Sequence, residues 1–252
     1  MHKKVFLFGL FIACLAPIGL LAKPDSVQIS AYIRIEKIDE RKWIERHQED
    51  IDKYIKENNQ MNDFSCDALF LGSSSINLWK TLQEDMAPMK VIKRSYGGST
   101  IRDILYNYNV IAHGYDPNCI VLYVENDITS GKEGIPEYEV FDLFRVFIQR
   151  IQQDYPKIPL YIVSFKPSFA RQGQLEKQKN INYLLRTYAE NTADVEFIDI
   201  TQAMYNTAGN LREDIFIKDR LHLNAKGYEI WTSIIKSRIL KHKSDDLPAP
   251  MI

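Results

Sequence analysis

The sequence predicts an α/β fold: a doubly wound, five-stranded parallel sheet with helices on both faces. Three observations lead there. Five short apolar runs, Ala68–Gly72, Val91–Tyr96, Ile120–Val124, Leu160–Phe165 and Val195–Ile200, are nearly continuous in hydrophobicity rather than alternating, as strands covered on both faces are. Helical patterns lie between them, and strands alternating with helices imply right-handed crossovers onto one sheet. The 252 residues hold no internal repeat and no long low-complexity stretch, and 45% hydrophobic with 26% charged residues is the composition of one ordinary globular domain.

The elements follow in order. Residues 36–60 are charge-rich with apolar positions at Ile38, Trp43, Ile44, Ile51, Tyr54 and Ile55, the spacing of an amphipathic leading helix. After the second strand, Ile101–Ala112 reads as a helix, followed by Tyr138–Tyr155, Leu175–Asn191 and a last helix, Ala225–His242. Pro156 and Pro159 punctuate the approach to the fourth strand. The expected organisation is a leading segment over 23–60, a domain over 61–242 and a disordered tail over 243–252.

Residues 1–22 are expected to lie outside the fold. His2, Lys3 and Lys4 give a basic start and Val5–Leu15 an apolar run. Pro17 and Gly19 break that run, and Leu20-Leu21-Ala22 ends it on a small residue. This is the pattern of a secretory signal cleaved near Ala22, and the unbroken apolar length is short for a spanning helix. Periplasmic or extracellular location follows as the expectation, with lipid attachment at Cys14 as the second reading and no stable membrane insertion after cleavage. Export would permit oxidation of Cys66 and Cys119; a disulfide and two buried free thiols are both open. A net charge of −1 gives no basic excess for nucleic acid.

Open parallel sheets bind ligands beyond the carboxyl ends of their strands, which directs attention to four places. The first strand ends in Gly72-Ser73-Ser74-Ser75-Ile76, a glycine and small hydroxyl residues suited to a tight strand-to-helix turn with an exposed hydroxyl. The second ends in Tyr96-Gly97-Gly98-Ser99-Thr100, where glycines let backbone approach a ligand. The third ends in Glu125-Asn126-Asp127, and Asp219-Arg220-Leu221-His222 precedes the last helix. Singly, these are an N-cap, a turn, a cap and a surface carboxylate. Jointly they supply a hydroxyl nucleophile, two candidate oxyanion donors and a carboxylate three residues before a histidine. G-x-S-x-G is absent and acid and base are neighbours, which argues against the α/β-hydrolase arrangement.

The four segments, in register from about residue 40 to 240, resemble the blocks of the SGNH (GDSL-like) hydrolases, whose fold is flavodoxin-like. The closest branch writes its motifs as GSSSI, GGST, END and DGLHLN, the last reading Asp219-Arg220-Leu221-His222-Leu223-Asn224 here, followed by Gly227-Tyr228. Lys166-Pro167-Ser168 also resembles a segment of that branch. The resemblance implies Ser74 as nucleophile, His222 as base and Asp219 as its orienting acid. It also implies an oxyanion hole from Ser74, Gly98 and Asn126. Two positions depart: Ser73 replaces the usual acidic residue, and Val124 stands where a glycine usually turns the third strand, which predicts a shift in the delivery of Asn126.

The implied activity is serine-dependent hydrolysis of carboxylic esters, with a short acyl group, such as acetyl, on a small or carbohydrate substrate. A lysophospholipase or lipase, an acyltransferase and a catalytically dead carbohydrate-binding module on the same fold are the alternatives. No cofactor is expected, and no metal: His2, His47, His113, His222 and His242 form no ligand-spaced cluster, and His47 and His113 read as surface or helix-end residues. Of the aromatics near the motifs, Trp79, Tyr96 and Phe169, Trp79 is the candidate neighbour of the site.

Overall fold

A computed structural model of the protein describes residues 45–128 and 135–245. The expected signal segment, Cys14 and most of the tail therefore lie outside the described residues. Helix α1 spans Gln48–Gln60 and buries Ile51 and Tyr54 of the expected apolar positions; Ile55 is exposed, and Ile38, Trp43 and Ile44 lie outside the described residues. His47 is a helix-end residue, at the N-terminal end of α1, and it is buried, with its ring 4.8 Å from that of Tyr96.

The main sheet contains β2 (Ala68–Gly72), β3 (Val91–Ser95), β5 (Ile120–Tyr123), β6 (Leu160–Val163) and β7 (Val195–Ile198), in the order β3-β2-β5-β6-β7 with all pairings parallel. Two short strands, β1 (Ser65–Cys66) and β4 (Asp116–Pro117), pair separately. The five expected strands are those of the main sheet.

Why the runs are continuous is visible in the side chains. In β2, Leu69 and Leu71 join one core while Ala68 and Phe70 join the other. Ile120 and Leu122 against Val121 and Tyr123 divide β5 the same way, so both faces are dry. The first core is covered by α1, α4 (Ile101–Tyr106), α5 (Tyr108–Ile111), α6 (Glu137–Asp154) and α7 (Leu175–Glu190). The second is covered by α2 (Ser74–Asn77), α3 (Leu82–Met86) and α8 (Ala225–Asp245), which contributes Trp231, Ile235 and Ile239.

Several expectations change in detail. The helix expected over 101–112 is two helices, broken at Asn107, whose backbone leaves the helical region and whose side-chain nitrogen bonds the Asp103 carbonyl at 3.0 Å. The last helix continues to Asp245, past the boundary expected at 242. Cys66 and Cys119 are buried and form no disulfide, and their side chains belong to opposite cores, so the sheet separates them. Trp79, the expected neighbour of the site, is fully buried, stacked on Tyr228 at 5.1 Å, with its Nε1–H donating to Asp85 Oδ2 at 2.6 Å.

Candidate active site

The site lies at the carboxyl ends of β2, β3 and β5. Gly72 ends β2 with φ +152°, and a Cβ there would stand 2.0 Å from the Tyr123 carbonyl oxygen; only glycine lets β2 end this close to β5. Ser73 is buried and donates its N–H to that same carbonyl at 3.0 Å. Ser74 follows as the first residue of α2, where its N–H has no intrahelical acceptor. Beneath, the Tyr228 hydroxyl donates to the Ser75 carbonyl at 2.9 Å, fixing α2 on the last helix.

The Asp219–His222 loop reaches Ser74 from across the site. Asp219 Oδ1 accepts the N–H groups of Leu221 and His222, both at 2.9 Å, a tight local turn that Arg220 completes at φ +57°. Asp219 Oδ2 lies 2.6 Å from His222 Nδ1, and His222 Nε2 lies 2.9 Å from Ser74 Oγ. A carboxylate acceptor at Nδ1 requires the proton there, which leaves Nε2 as an acceptor for the serine hydroxyl. Partial burial would raise the Asp219 carboxyl, but hydrogen bonds from His222 and the two backbone N–H groups outweigh it and hold it below the usual range.

Gly98 lies in an exposed turn with φ +74°, a conformation that glycine adopts without strain. The next residue is tied down: Ser99 is buried and its hydroxyl donates to the Gly72 carbonyl at 3.2 Å. Asn126, in a 3-10 turn over Asn126–Ile128, donates from Nδ2 to the Ser99 carbonyl at 2.8 Å. The structure thus brings Ser74, Asp219 and His222 into one hydrogen-bonded chain, and joins Asn126 to the loop that carries Gly98.

Behind Asn126 lies a buried ion cluster. Glu125 Oε1 accepts from Lys166 Nζ at 2.9 Å and from Arg171 Nη1 at 2.7 Å, and Glu125 Oε2 accepts the Lys166 N–H at 3.1 Å. Arg171 Nη2 donates to Asn126 Oδ1 at 2.6 Å. Burial opposes the charge on Glu125, but the Lys166 and Arg171 charges prevail and hold its carboxyl below the usual range; burial pushes Lys166 down, offset in part by Glu125. Asp127 accepts the Ile101 N–H at 2.8 Å at the start of α4, and burial pushes it up to about 6. Arg171 is the contact that sequence reasoning missed. Its one signal was the Lys166-Pro167-Ser168 segment just before it.

The description GDSL-like Lipase/Acylhydrolase family matches residues 71–230, more than half of the chain. The chain belongs to this family. It is accordingly an ester hydrolase, and its fold is similar to that of several solved structures. One is a Streptococcus pneumonia protein provisionally designated a platelet activating factor, 23% identical over 82% of this chain and 99% of its own, with a TM-score of 0.68. A GDSL-like lipase from Bacteroides thetaiotaomicron is 20% identical over 76% of this chain and 98% of its own, with a TM-score of 0.62. An acetyl xylan esterase is 20% identical over 68% of this chain and 98% of its own, with a TM-score of 0.56. No curated protein matches the chain.

Proposed function

We propose that this hydrolase removes short acyl groups, acetyl above all, from carbohydrate, using Ser74, His222 and Asp219 as a catalytic triad. The observation that carries the triad is the unbroken chain from Asp219 Oδ2 to His222 Nδ1 at 2.6 Å and from His222 Nε2 to Ser74 Oγ at 2.9 Å. Ser74 Oγ attacks the ester carbonyl carbon as His222 Nε2 takes its proton. Asp219 holds the ring in the required tautomer and stabilises the imidazolium. The backbone N–H groups of Ser74 and Gly98 and the Asn126 amide receive the oxyanion. Collapse expels the alcohol, which takes the proton from His222, and water then repeats the sequence on the acyl-enzyme.

The short-acyl, sugar-directed part of the reading rests on the mouth of the site. Gly97, Gly98, Asp219 and Arg220 are exposed around Ser74, and the Arg220 guanidinium lies 4.2 Å over the Phe169 ring. Such a rim offers hydrogen-bond partners to the hydroxyl groups of a sugar. The acetyl xylan esterase neighbour is consistent with it. Residues 1–22, as a cleaved secretory signal, would place the enzyme where extracellular polysaccharide is met. A chain-length series of p-nitrophenyl esters, run beside acetate release from acetylated xylan, is the test. Highest kcat/KM at acetate together with released acetate is expected; a maximum at long acyl chains would make the enzyme a lipase or lysophospholipase.

A further inference from the structure

We propose that Arg171 is a positioning residue that fixes the orientation of the Asn126 amide. The inference rests on the triad and oxyanion reading above. An Asn side chain has two nearly isosteric orientations, and only the one with nitrogen toward the reacting carbonyl serves an oxyanion. Here both ends of the amide are specified. Asn126 Nδ2 donates to the Ser99 carbonyl at 2.8 Å, and Asn126 Oδ1 accepts from Arg171 Nη2 at 2.6 Å. Rotating the amide by a half-turn would set its NH2 against a guanidinium and its oxygen against a carbonyl. Two attractive contacts would become two repulsive ones.

The guanidinium is itself held. Its other terminal nitrogen, Nη1, donates to Glu125 Oε1 at 2.7 Å, and that carboxylate is anchored by Lys166 through both its ammonium and its backbone N–H. Glu125 and Lys166 side chains are 2% and 1% exposed, so neither ion has water as an alternative partner. The fork geometry of arginine is what allows one side chain to bond two neighbouring residues at once; a lysine ammonium has no such planar pair.

Arg171 is also tied to the opposite half of the site. It sits in a 3-10 segment, Phe169–Gln174, where its own φ/ψ of −118°/25° departs from helical values. The adjoining Ala170 N–H donates to the Arg220 carbonyl at 3.2 Å, inside the Asp219–His222 loop. One short segment therefore sets the distance between the acid–base loop and the oxyanion side. With both terminal nitrogens engaged and the side chain 15% exposed, the guanidinium is placed to orient Asn126 rather than to receive substrate.

The test is steady-state hydrolysis of p-nitrophenyl acetate by wild type, S74A, N126A, R171M, R171K and the double variant N126A/R171M, each with a thermal melt. R171M is expected to lower kcat about 10- to 100-fold with KM unchanged, the scale of a displaced catalytic group. In the N126A background the same change should cost less than about twofold, because the group it positions is gone. R171K keeps a charge on Glu125, so its melt should stay near wild type while kcat stays low. Wild-type kcat in folded R171M and R171K would overturn the inference, as would an equal loss with and without Asn126. A rise in KM alone would make Arg171 a substrate contact instead. A wild type no faster than S74A would overturn the esterase mechanism itself, a result distinguishable from all of these.

Discussion

The two halves of the site are built on opposite principles. The acid–base loop is exposed and local. Asp219 is 43% exposed and His222 20%, and the bonds from Asp219 to Leu221 and His222 span two or three residues of chain. The cluster behind Asn126, the proposed oxyanion donor, is buried and non-local: Glu125 meets Lys166 across 41 residues and Arg171 across 46. Water screens the first half, so its hydrogen bonds contribute to chemistry and little to folding. In the second half the same bonds serve both, because an ion stripped of its partner there has no solvent to turn to.

Substitutions sharpen that contrast. S74A and H222A should lower kcat by about 10⁴- to 10⁶-fold, and D219N by less, while all three melt close to wild type. Circular dichroism melts beside initial rates check this, and a large loss of stability in D219N would break the comparison. On the buried side, E125Q should lower the free energy of unfolding by about 3–5 kcal/mol in urea titration, leaving Lys166 and Arg171 without their carboxylate. Because folding holds the Glu125 carboxyl below its ordinary 4.5, its contribution is present above that pH and is lost as pH falls through the folded value. The stability gap between wild type and E125Q should therefore close in acid.

N126A should reduce kcat by about 10²- to 10³-fold with KM little changed, the cost of one oxyanion donor. The smallest effect concerns Asp127. Its carboxyl is raised by burial from 3.8 to about 6, so the folded state keeps its proton to a higher pH than the unfolded chain. As pH rises from 4 to 6 the wild type should lose about 2 kcal/mol that D127N does not. Parallel stability profiles for the two proteins across that window would place the Asp127 carboxyl at an ordinary value.

What was legible in the sequence follows the same division. The five strands were readable because burial on both faces forces continuous apolar runs, as in Leu69 and Leu71 against Ala68 and Phe70. The Asp219–His222 pairing was readable because its geometry is set within one turn. The break at Asn107 was not, since apolar periodicity continues through it and only a side-chain bond to the backbone decides the matter. The direction of Trp79 was not legible, because nearness in sequence to Ser74 says nothing of it; the side chain points into the second core, onto Tyr228. Arg171 was invisible because its meaning depends on Glu125 and Asn126, and no local pattern records a contact made 45 residues away.

The most direct measurement is hydrolysis of p-nitrophenyl acetate by the protein beginning at Lys23, side by side with S74A. The hydrogen-bonded chain through His222 and Asp219 requires turnover in the wild type and its near-complete loss in S74A, with both proteins equally folded. Equal rates in the two would remove Ser74 as the nucleophile and the triad with it.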